Sequence, residues 1–231
     1  MSPRPVLRRL LQALKVSVAL VVLGVAVIGF AHTERGRPLL RYIPGMGACP
    51  LGYAEMTADD RARVRGELLA PLAGERAATS HRVLAFELGR TTTDEVTAWA
   101  TAHAVACAPG RKTGLRCTAV PAGALDQVAG FDELSFEFAA DGRLVGLTGS
   151  ASLTDATRVA DYVAARDVTM RSQLGEPIER RGDARPEALR GPLAQISREY
   201  RSSDMRAKVT ATDIGQGRFT VREFHQLIVA G

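Results

Sequence analysis

The clearest hydrophobic pattern lies between residues 92 and 119. Thr92 and Glu95 have the spacing of a capping box, which predicts the start of a helix. Val96, Ala100, His103 and Cys107 then recur at helical spacing, so the pattern places all four on one stripe. Pro109 and Gly110 predict the helix end. Leu115, Cys117 and Ala119 alternate as on a following strand.

Two further elements are predicted ahead of this helix. Thr57 is a good N-cap, and the apolar positions Val64, Leu68, Leu69 and Leu72 predict a helix to about Leu72. Residues 81–88 alternate apolar and polar side chains and predict a strand. These elements begin the folded part of the chain.

Residues 131–149 have the pattern of a β-hairpin. Leu134, Phe136 and Phe138 alternate with polar residues, and Asp141-Gly142 is typical of a two-residue turn. That turn pairs Phe138 with Val145 and Phe136 with Leu147. We expect the apolar face of this hairpin to cover the helix that carries Val96 and Trp99.

The last third of the chain repeats the order of helix and meander. Residues 156–174 keep a helical apolar stripe, with Thr154 or Ser152 as the expected cap and Gly175 before Pro177 as the stop. The alternation then predicts strands over residues 194–201, 205–213 and 218–229. The order of elements makes a weak internal repeat.

These patterns predict an α+β protein. An N-terminal transmembrane or signal-anchor helix (residues 1–31) precedes a tether (32–56). Two small units follow, each a helix packed on an antiparallel sheet, over residues 57–150 and 151–231.

The N-terminal segment is basic and then apolar. Arg4, Arg8, Arg9 and Lys15 precede the uncharged run 16–31, whose membrane-facing positions include Val16, Leu20, Leu23, Ile28 and Phe30. A run of this length favours an uncleaved anchor in a bacterial inner membrane, with the C-terminal region in the periplasm. The alternative is cleavage after Ala31 and secretion.

The positive charge is concentrated beside that segment. The chain has a net charge of +5, with 27 arginines, three lysines and no asparagine among 231 residues, a composition typical of a GC-rich bacterium. Residues 1–41 carry seven Lys/Arg and one Glu, whereas residues 42–231 carry 23 Lys/Arg and 24 Asp/Glu, a net charge of −1. The folded part therefore has no overall charge for binding nucleic acid.

Candidate chemistry is sparse. Cys107 and Cys117 are predicted to face each other and form a disulfide, while Cys49 is the odd cysteine. None of the histidines is near another His or Cys at metal-ligand spacing, apart from the weak pair His103 and Cys107. We assign no catalytic, cofactor-binding or metal-binding residue. The four histidines are His32, His81, His103 and His225.

Two short patterns resemble a known family. Gly89-x-Thr91-x-x-Asp94-Glu95-Val96 followed by Asp141-Gly142-Arg143-Leu144, and later Leu174-Gly175-Glu176-Pro177, resemble the SmpA/OmlA type of small outer-membrane assembly lipoprotein. The β-lactamase-inhibitor protein carries a similar helix-plus-sheet unit in tandem. The chain departs from this pattern in two ways. Its anchor resembles a membrane helix and not a lipobox, and Cys107 and Cys117 interrupt the first unit. The resemblance implies a non-catalytic binding fold of the cell envelope and transfers no binding residue.

Three functions are compatible with these patterns. The first is a membrane-anchored bacterial protein that binds other envelope proteins through the open face or edge of its meanders, and that contacts the lipid bilayer through its N-terminal helix. The second is a secreted inhibitor-like or ligand-binding protein. The third is an enzyme that uses Cys49 or a histidine.

Overall fold

A single antiparallel sheet of eight strands forms the centre of the fold. The computed structural model describes seven residues of the N-terminal segment and residues 57–110, 114–125, 130–191 and 193–228. The strand order is β3-β4-β5-β6-β10-β9-β8-β7. The strands are β3 (Ala106–Pro109), β4 (Gly114–Val120), β5 (Phe131–Phe138), β6 (Leu144–Leu153), β7 (Glu179–Arg181), β8 (Gln195–Arg201), β9 (Met205–Gly215) and β10 (Arg218–Leu227).

Three helices and a small hairpin complete the described fold. They are α1 (Ala58–Leu69), the hairpin strands β1 (Arg82–Val83) and β2 (Phe86–Glu87), α2 (Thr93–Ala102) and α3 (Ala156–Leu174). Short 3-10 helices span Ala70–Leu72, Ala122–Ala124 and Pro186–Leu189. The expected α+β class with helices and antiparallel strands is confirmed.

The two helix-plus-meander halves share one sheet. β6 pairs with β10 over eight residue pairs, from Phe219 opposite Leu153 to Gln226 opposite Gly146. β6 also runs through the predicted boundary between residues 150 and 151. Residues Thr57–Gly231 form one compact unit, and Met1–Met56 form another.

Helices α2 and α3 cover one face of the sheet. Phe136 of β5 contacts Trp99 of α2, and Tyr162 and Arg166 of α3 contact Glu223 of β10. Phe136 shares its side of the sheet with Leu147 and His225, because the three residues are register partners on β5, β6 and β10. The core therefore lies between this face and the two helices α2 and α3.

An aromatic cluster joins α2 to the sheet. The ring of Phe86 lies 4.9 Å from that of Trp99 and 5.0 Å from that of Phe136, both edge to face. Such pairs contribute about 0.5–1.5 kcal/mol each beyond the area they bury. The predicted packing of the hairpin on α2 is confirmed.

The end of α2 differs from the prediction. Thr92 and Glu95 form the expected capping box, but the helix ends at Ala102 and not near Cys107. Ala104 adopts a left-handed backbone conformation with φ 53°. Hydrogen bonds from the amide of Ala104 to Thr101 O and from that of Val105 to Ala100 O make a Schellman motif, which terminates the helix. Cys107 consequently lies on β3 and not on the helical stripe.

The hairpin register also differs by one residue at its tip. Phe136 pairs with Leu147 as predicted, but Phe138 pairs with Leu144 and not with Val145, across a register shift. The cause is a three-residue loop in which Gly142 has φ +79°. The amide of Ala139 donates to the carbonyl of Arg143, and the amide of Gly142 donates to the carbonyl of Ala139. The predicted two-residue turn is wrong.

Two local predictions are corrected elsewhere. Residues 81–88 form the two-stranded hairpin β1–β2 and not one strand, because Leu84 turns the chain with φ 55°. The N-cap of α3 is Asp155, whose carboxylate accepts a hydrogen bond from the amide of Thr157 at 2.8 Å. Thr154 and Ser152 do not cap α3, since β6 extends to Leu153.

Candidate binding face

The face of the sheet opposite α2 and α3 is polar, and we call it the open face. Strand register places its residues in rows that cross the sheet. One row joins Glu199, Lys208, Phe224, Thr148, Ser135 and Arg116, and a second joins Arg181, Ser197, Thr210, Arg222, Ser150, Glu133 and Thr118. With strands about 4.8 Å apart, eight strands span roughly 34 Å.

The centre of this face is rich in hydroxyl groups, and Phe224 is the only aromatic residue in the two rows. The guanidinium carbon of Arg206 lies 5.6 Å from the centre of the Phe224 ring, within the range of a cation–π contact. Phe224 is half-buried. It therefore offers an apolar contact within a polar surface.

A depression of about 810 Å³ lies on the open face where β4, β5, β6 and β10 meet. Ser135, Thr148 and Phe224 line it, together with the charged residues Arg116, Glu133 and Glu137. Its remaining lining residues are Pro109, Gly110, Gly114, Leu115, Phe136, Gly146 and Leu147. A concave surface with convergent polar groups is the usual form of a binding site.

Two ion pairs hold the charges around this depression. Arg116 Nη2 donates to Glu133 Oε2 at 2.6 Å, and this hydrogen bond lowers the pKa of Glu133 below its usual value. Arg65 of α1 forms an ion pair with Glu137. The four charges balance, so this part of the face is close to neutral.

A second charged cluster lies on the β7–β10 side. Glu199 is almost fully buried and accepts hydrogen bonds from Arg201 Nη2 at 2.8 Å, Arg206 Nε at 3.1 Å and Lys208 Nζ at 3.1 Å. Burial raises the pKa of this carboxyl, but the three donors outweigh burial and lower the pKa of Glu199 to about 2. Glu199 is therefore ionised at neutral pH and holds three cations in place.

A third charged cluster is buried beneath the sheet, on its helix side. Glu223 accepts hydrogen bonds from Tyr162 Oη at 2.5 Å and from Arg166 Nε at 2.6 Å, and its Oε2 lies 2.9 Å from His225 Nε2. Burial raises the pKa of Glu223, but the charge of Arg166 and the hydrogen bonds outweigh it, and the pKa is lowered. Burial lowers the pKa of His225. The cluster is inside the core and does not line the depression.

The structure confirms the predicted disulfide between Cys107 and Cys117. The two residues are direct partners on the antiparallel strands β3 and β4, and Cys117 is fully buried. The bridge therefore ties the edge strand β3 to the sheet and leaves neither sulfur as a metal ligand or nucleophile.

The other predicted candidates are dispersed or lie outside the described residues. His81 contacts Asp204 at 2.8 Å, His103 contacts the carbonyl of Trp99 and His225 contacts Glu223. Over the described parts of the chain, no three His, Cys, Asp or Glu residues are grouped to hold a metal ion. Cys49, His32 and the tether lie outside the described residues, as do residues 111–113.

Of the five predicted membrane positions, Leu23 and Phe30 are described, and both are helical and exposed; the other three, Val16, Leu20 and Ile28, lie outside the described residues. A search of the described part of the chain found no helix that is both long and apolar enough to cross a bilayer.

Sequence reasoning did not identify the strands β3 and β7 or the clusters around Glu199 and Glu223. β3 and β7 are three or four residues long, too short for a period to be recognised. A signal for the buried cluster was present, since Glu223 and His225 continue the inward-facing alternation of Phe219 and Val221. A charged residue at an inward position predicts a buried partner.

Comparison with protein-family models, with curated proteins and with solved structures found no match for this chain.

Proposed function

We propose that this chain is a membrane-anchored, non-catalytic protein of the bacterial cell envelope, and that it binds another envelope protein through the open face. The observation that carries the proposal is the broad polar face with its depression, opposite α2 and α3. A face of roughly 34 by 20 Å approaches the ~800 Å² that each partner contributes to a standard protein interface.

The edges of the sheet are poorly suited to strand addition. β7 has three residues, all charged, and β3 contains Pro109, which has no amide hydrogen to donate. Arg198 Nη1 donates to the carbonyl of Arg181 on β7 at 3.0 Å. Short, charged and proline-containing edges disfavour pairing with another strand, which supports docking on the open face instead.

The proposed anchor is the N-terminal helix. Val18, Val21, Leu23 and Phe30 are helical and between 51% and 65% exposed. Apolar side chains exposed on an uncharged run are stabilised by contact with lipid. The resemblance to the SmpA/OmlA type and to the β-lactamase-inhibitor protein agrees with a tandem helix-plus-sheet binding protein, and it enters here as analogy of fold.

Site-specific photocrosslinking in living cells of the source bacterium tests the proposal. A photoreactive amino acid replaces Thr148, which lines the depression, or Val168, which is 69% exposed on α3. We expect the Thr148 variant to form a product with one or two envelope proteins and the Val168 variant to form none. Equal products from both positions, or none from Thr148, would contradict binding by the open face.

The same samples test the anchor. Intact mass measurement of the purified full chain is expected to show that residues 1–31 are retained. A mature chain that begins at His32 would favour the secreted alternative.

A further inference from the structure

The open face divides into a balanced part and a basic part. Around the depression on β4 and β5, Arg116 and Arg65 balance Glu133 and Glu137. In the three register rows that cross β7–β10 through Ser197, Glu199 and Arg201, five cations accompany two carboxylates, an excess of three positive charges. The cations are Arg181, Arg201, Arg206, Lys208 and Arg222, and the carboxylates are Glu179 and Glu199.

The cluster around Glu199 positions part of this charge. A single carboxylate accepts from Arg201, Arg206 and Lys208, and Lys208 is also 3.7 Å from Glu179. These contacts hold the side chains in place before a partner arrives, and pre-organised groups lose less entropy on binding. Because two carboxylates cannot neutralise three cations, positive charge remains available at this surface.

Arg222 extends the basic surface toward the middle of the sheet. It is exposed and forms no ion pair with any described residue, and its register partners are the hydroxyl residues Ser150 and Thr210. Glu133 lies beyond Ser150 in the same row. The hydrogen bond from Arg116 is the main cause of the lowered pKa of Glu133, and the charge of Arg222 makes a small contribution to it. An exposed guanidinium flanked by hydroxyl groups can bind a carboxylate through two parallel hydrogen bonds.

We infer that the β7–β10 half of the open face binds an acidic segment of the partner protein. The inference rests on the proposed function and specifies the chemistry of its partner. A protein segment fits better than a general polyanion, because residues 42–231 carry a net charge of −1 and create no broad field for nucleic acid or anionic lipid. Phe224, beside Arg206, adds an apolar contact of the kind that a peptide side chain can meet.

The test places the photoreactive amino acid at Thr210, between Ser197 and Arg222, in the full chain in living cells. Mass spectrometry of the product identifies the crosslinked peptide. We expect a peptide of a second protein with a net negative charge. A neutral or basic peptide, a lipid or nucleic-acid adduct, or a peptide from a second copy of this chain would overturn the inference.

Charge reversal provides the matched control. The double variant R181E/R222E reverses two cations of the open face, and R82E/R158E makes the same change in charge at two exposed positions outside it. The first double variant should reduce the Thr210 product about tenfold, because like charges then face the acidic segment. The second should leave the yield within about twofold. Equal loss in both variants, or no loss in either, would overturn the inference.

The two proposals can fail separately. A Thr148 product without a Thr210 product, or a Thr210 product that R181E/R222E does not reduce, overturns the acidic partner and leaves binding by the open face intact. Absence of the Thr148 product overturns the proposed function itself.

Discussion

Arg166 of α3 binds Glu223 of β10 through two hydrogen bonds, from Nε to Oε1 at 2.6 Å and from Nη2 to Oε2 at 3.1 Å. The Arg166 side chain is 7% exposed and that of Glu223 is fully buried. Tyr162 and His225 occupy the remaining contacts of the same carboxylate. This buried cluster joins α3 to β10, the strand whose pairing with β6 unites the two halves of the sheet.

Removing the cation from this cluster is expected to destabilise the fold strongly. Arg166→Met leaves Glu223 ionised and uncompensated in the core, a change that typically costs about 3–5 kcal/mol in the free energy of unfolding. Urea denaturation of the full chain in detergent, followed by the fluorescence of Trp99, the only tryptophan, measures the effect.

The matched control for that variant is Arg171→Met on the same helix. Arg171 pairs with Asp167 at 2.8 Å but is 40% exposed, so its loss should cost no more than about 1 kcal/mol. The double variant R166M/E223L should recover part of the lost stability, because it removes the unpaired charge. Equal costs for Arg166→Met and Arg171→Met would show that the buried pair has no special role.

The buried imidazole predicts a fall in stability on acidification. Burial lowers the pKa of His225 below its usual 6.5, so the unfolded chain binds a proton at this residue more readily than the folded chain does. The stabilisation is fully present above about pH 6.5 and is lost as the pH falls through the lowered pKa of the folded state. Glu223 and Arg166 are the charged groups that face His225.

His225→Gln tests this dependence, because the amide can still donate to Glu223 but does not titrate in this range. Between pH 7.5 and 5, the free energy of unfolding should fall less steeply for His225→Gln than for the wild type. Parallel profiles for the two proteins would exclude His225 as the source of the slope.

Gly149 of β6 lies directly beneath an aromatic ring. A Cβ atom at this position would be 2.5 Å from Cε1 and 2.7 Å from Cδ1 of Phe131. Gly149→Ala therefore forces the buried ring to move, and we expect a loss of about 1–3 kcal/mol in the free energy of unfolding. Gly123→Ala is the control, since nothing lies within 4 Å of a Cβ there. A neutral Gly149→Ala would show that the Phe131 ring can shift without cost.

The disulfide predicts a redox-dependent stability. Cys107 and Cys117 are ten residues apart, and by the chain-entropy model the closed loop contributes roughly 2–3 kcal/mol. Cys107→Ser should lower the melting temperature of the full chain under oxidising conditions and should have little effect in a reducing buffer. Cys49→Ser makes the same chemical change outside this pair and is the control. An equal decrease in the melting temperature of Cys49→Ser would show that the effect does not require loss of the Cys107–Cys117 bridge.

Amide hydrogen exchange would show which strands are destabilised when the bridge is lost. Among the described strands, β3 lies at the edge of the sheet with β4 as its one neighbour, and Pro109 has no amide hydrogen to contribute. In Cys107→Ser, amides of β3 should exchange faster while those of β5 remain protected. Uniformly faster exchange throughout the sheet would show that the bridge stabilises the whole fold instead.

Local signals in the sequence determined many of the elements. The capping side chains Thr57 and Thr92 mark the starts of α1 and α2, and Gly175 marks the end of α3. Two-residue alternation predicts β5, β8, β9 and β10 to within two residues at either end. Each signal depends on groups a few residues apart in the chain, so it acts before any distant contact forms.

The tertiary structure decided where α2 ends, which strands are neighbours and which face is open. Ala104 adopts its left-handed conformation where Val105 enters the core, although alanine carries no sequence signal for such a turn. The pairing of β6 with β10 joins residues about 70 positions apart. Glu223 is buried only because Arg166, 57 residues earlier, is brought beside it. Contacts of this kind form only in the folded chain, and the periodicity of a single strand or helix does not predict them.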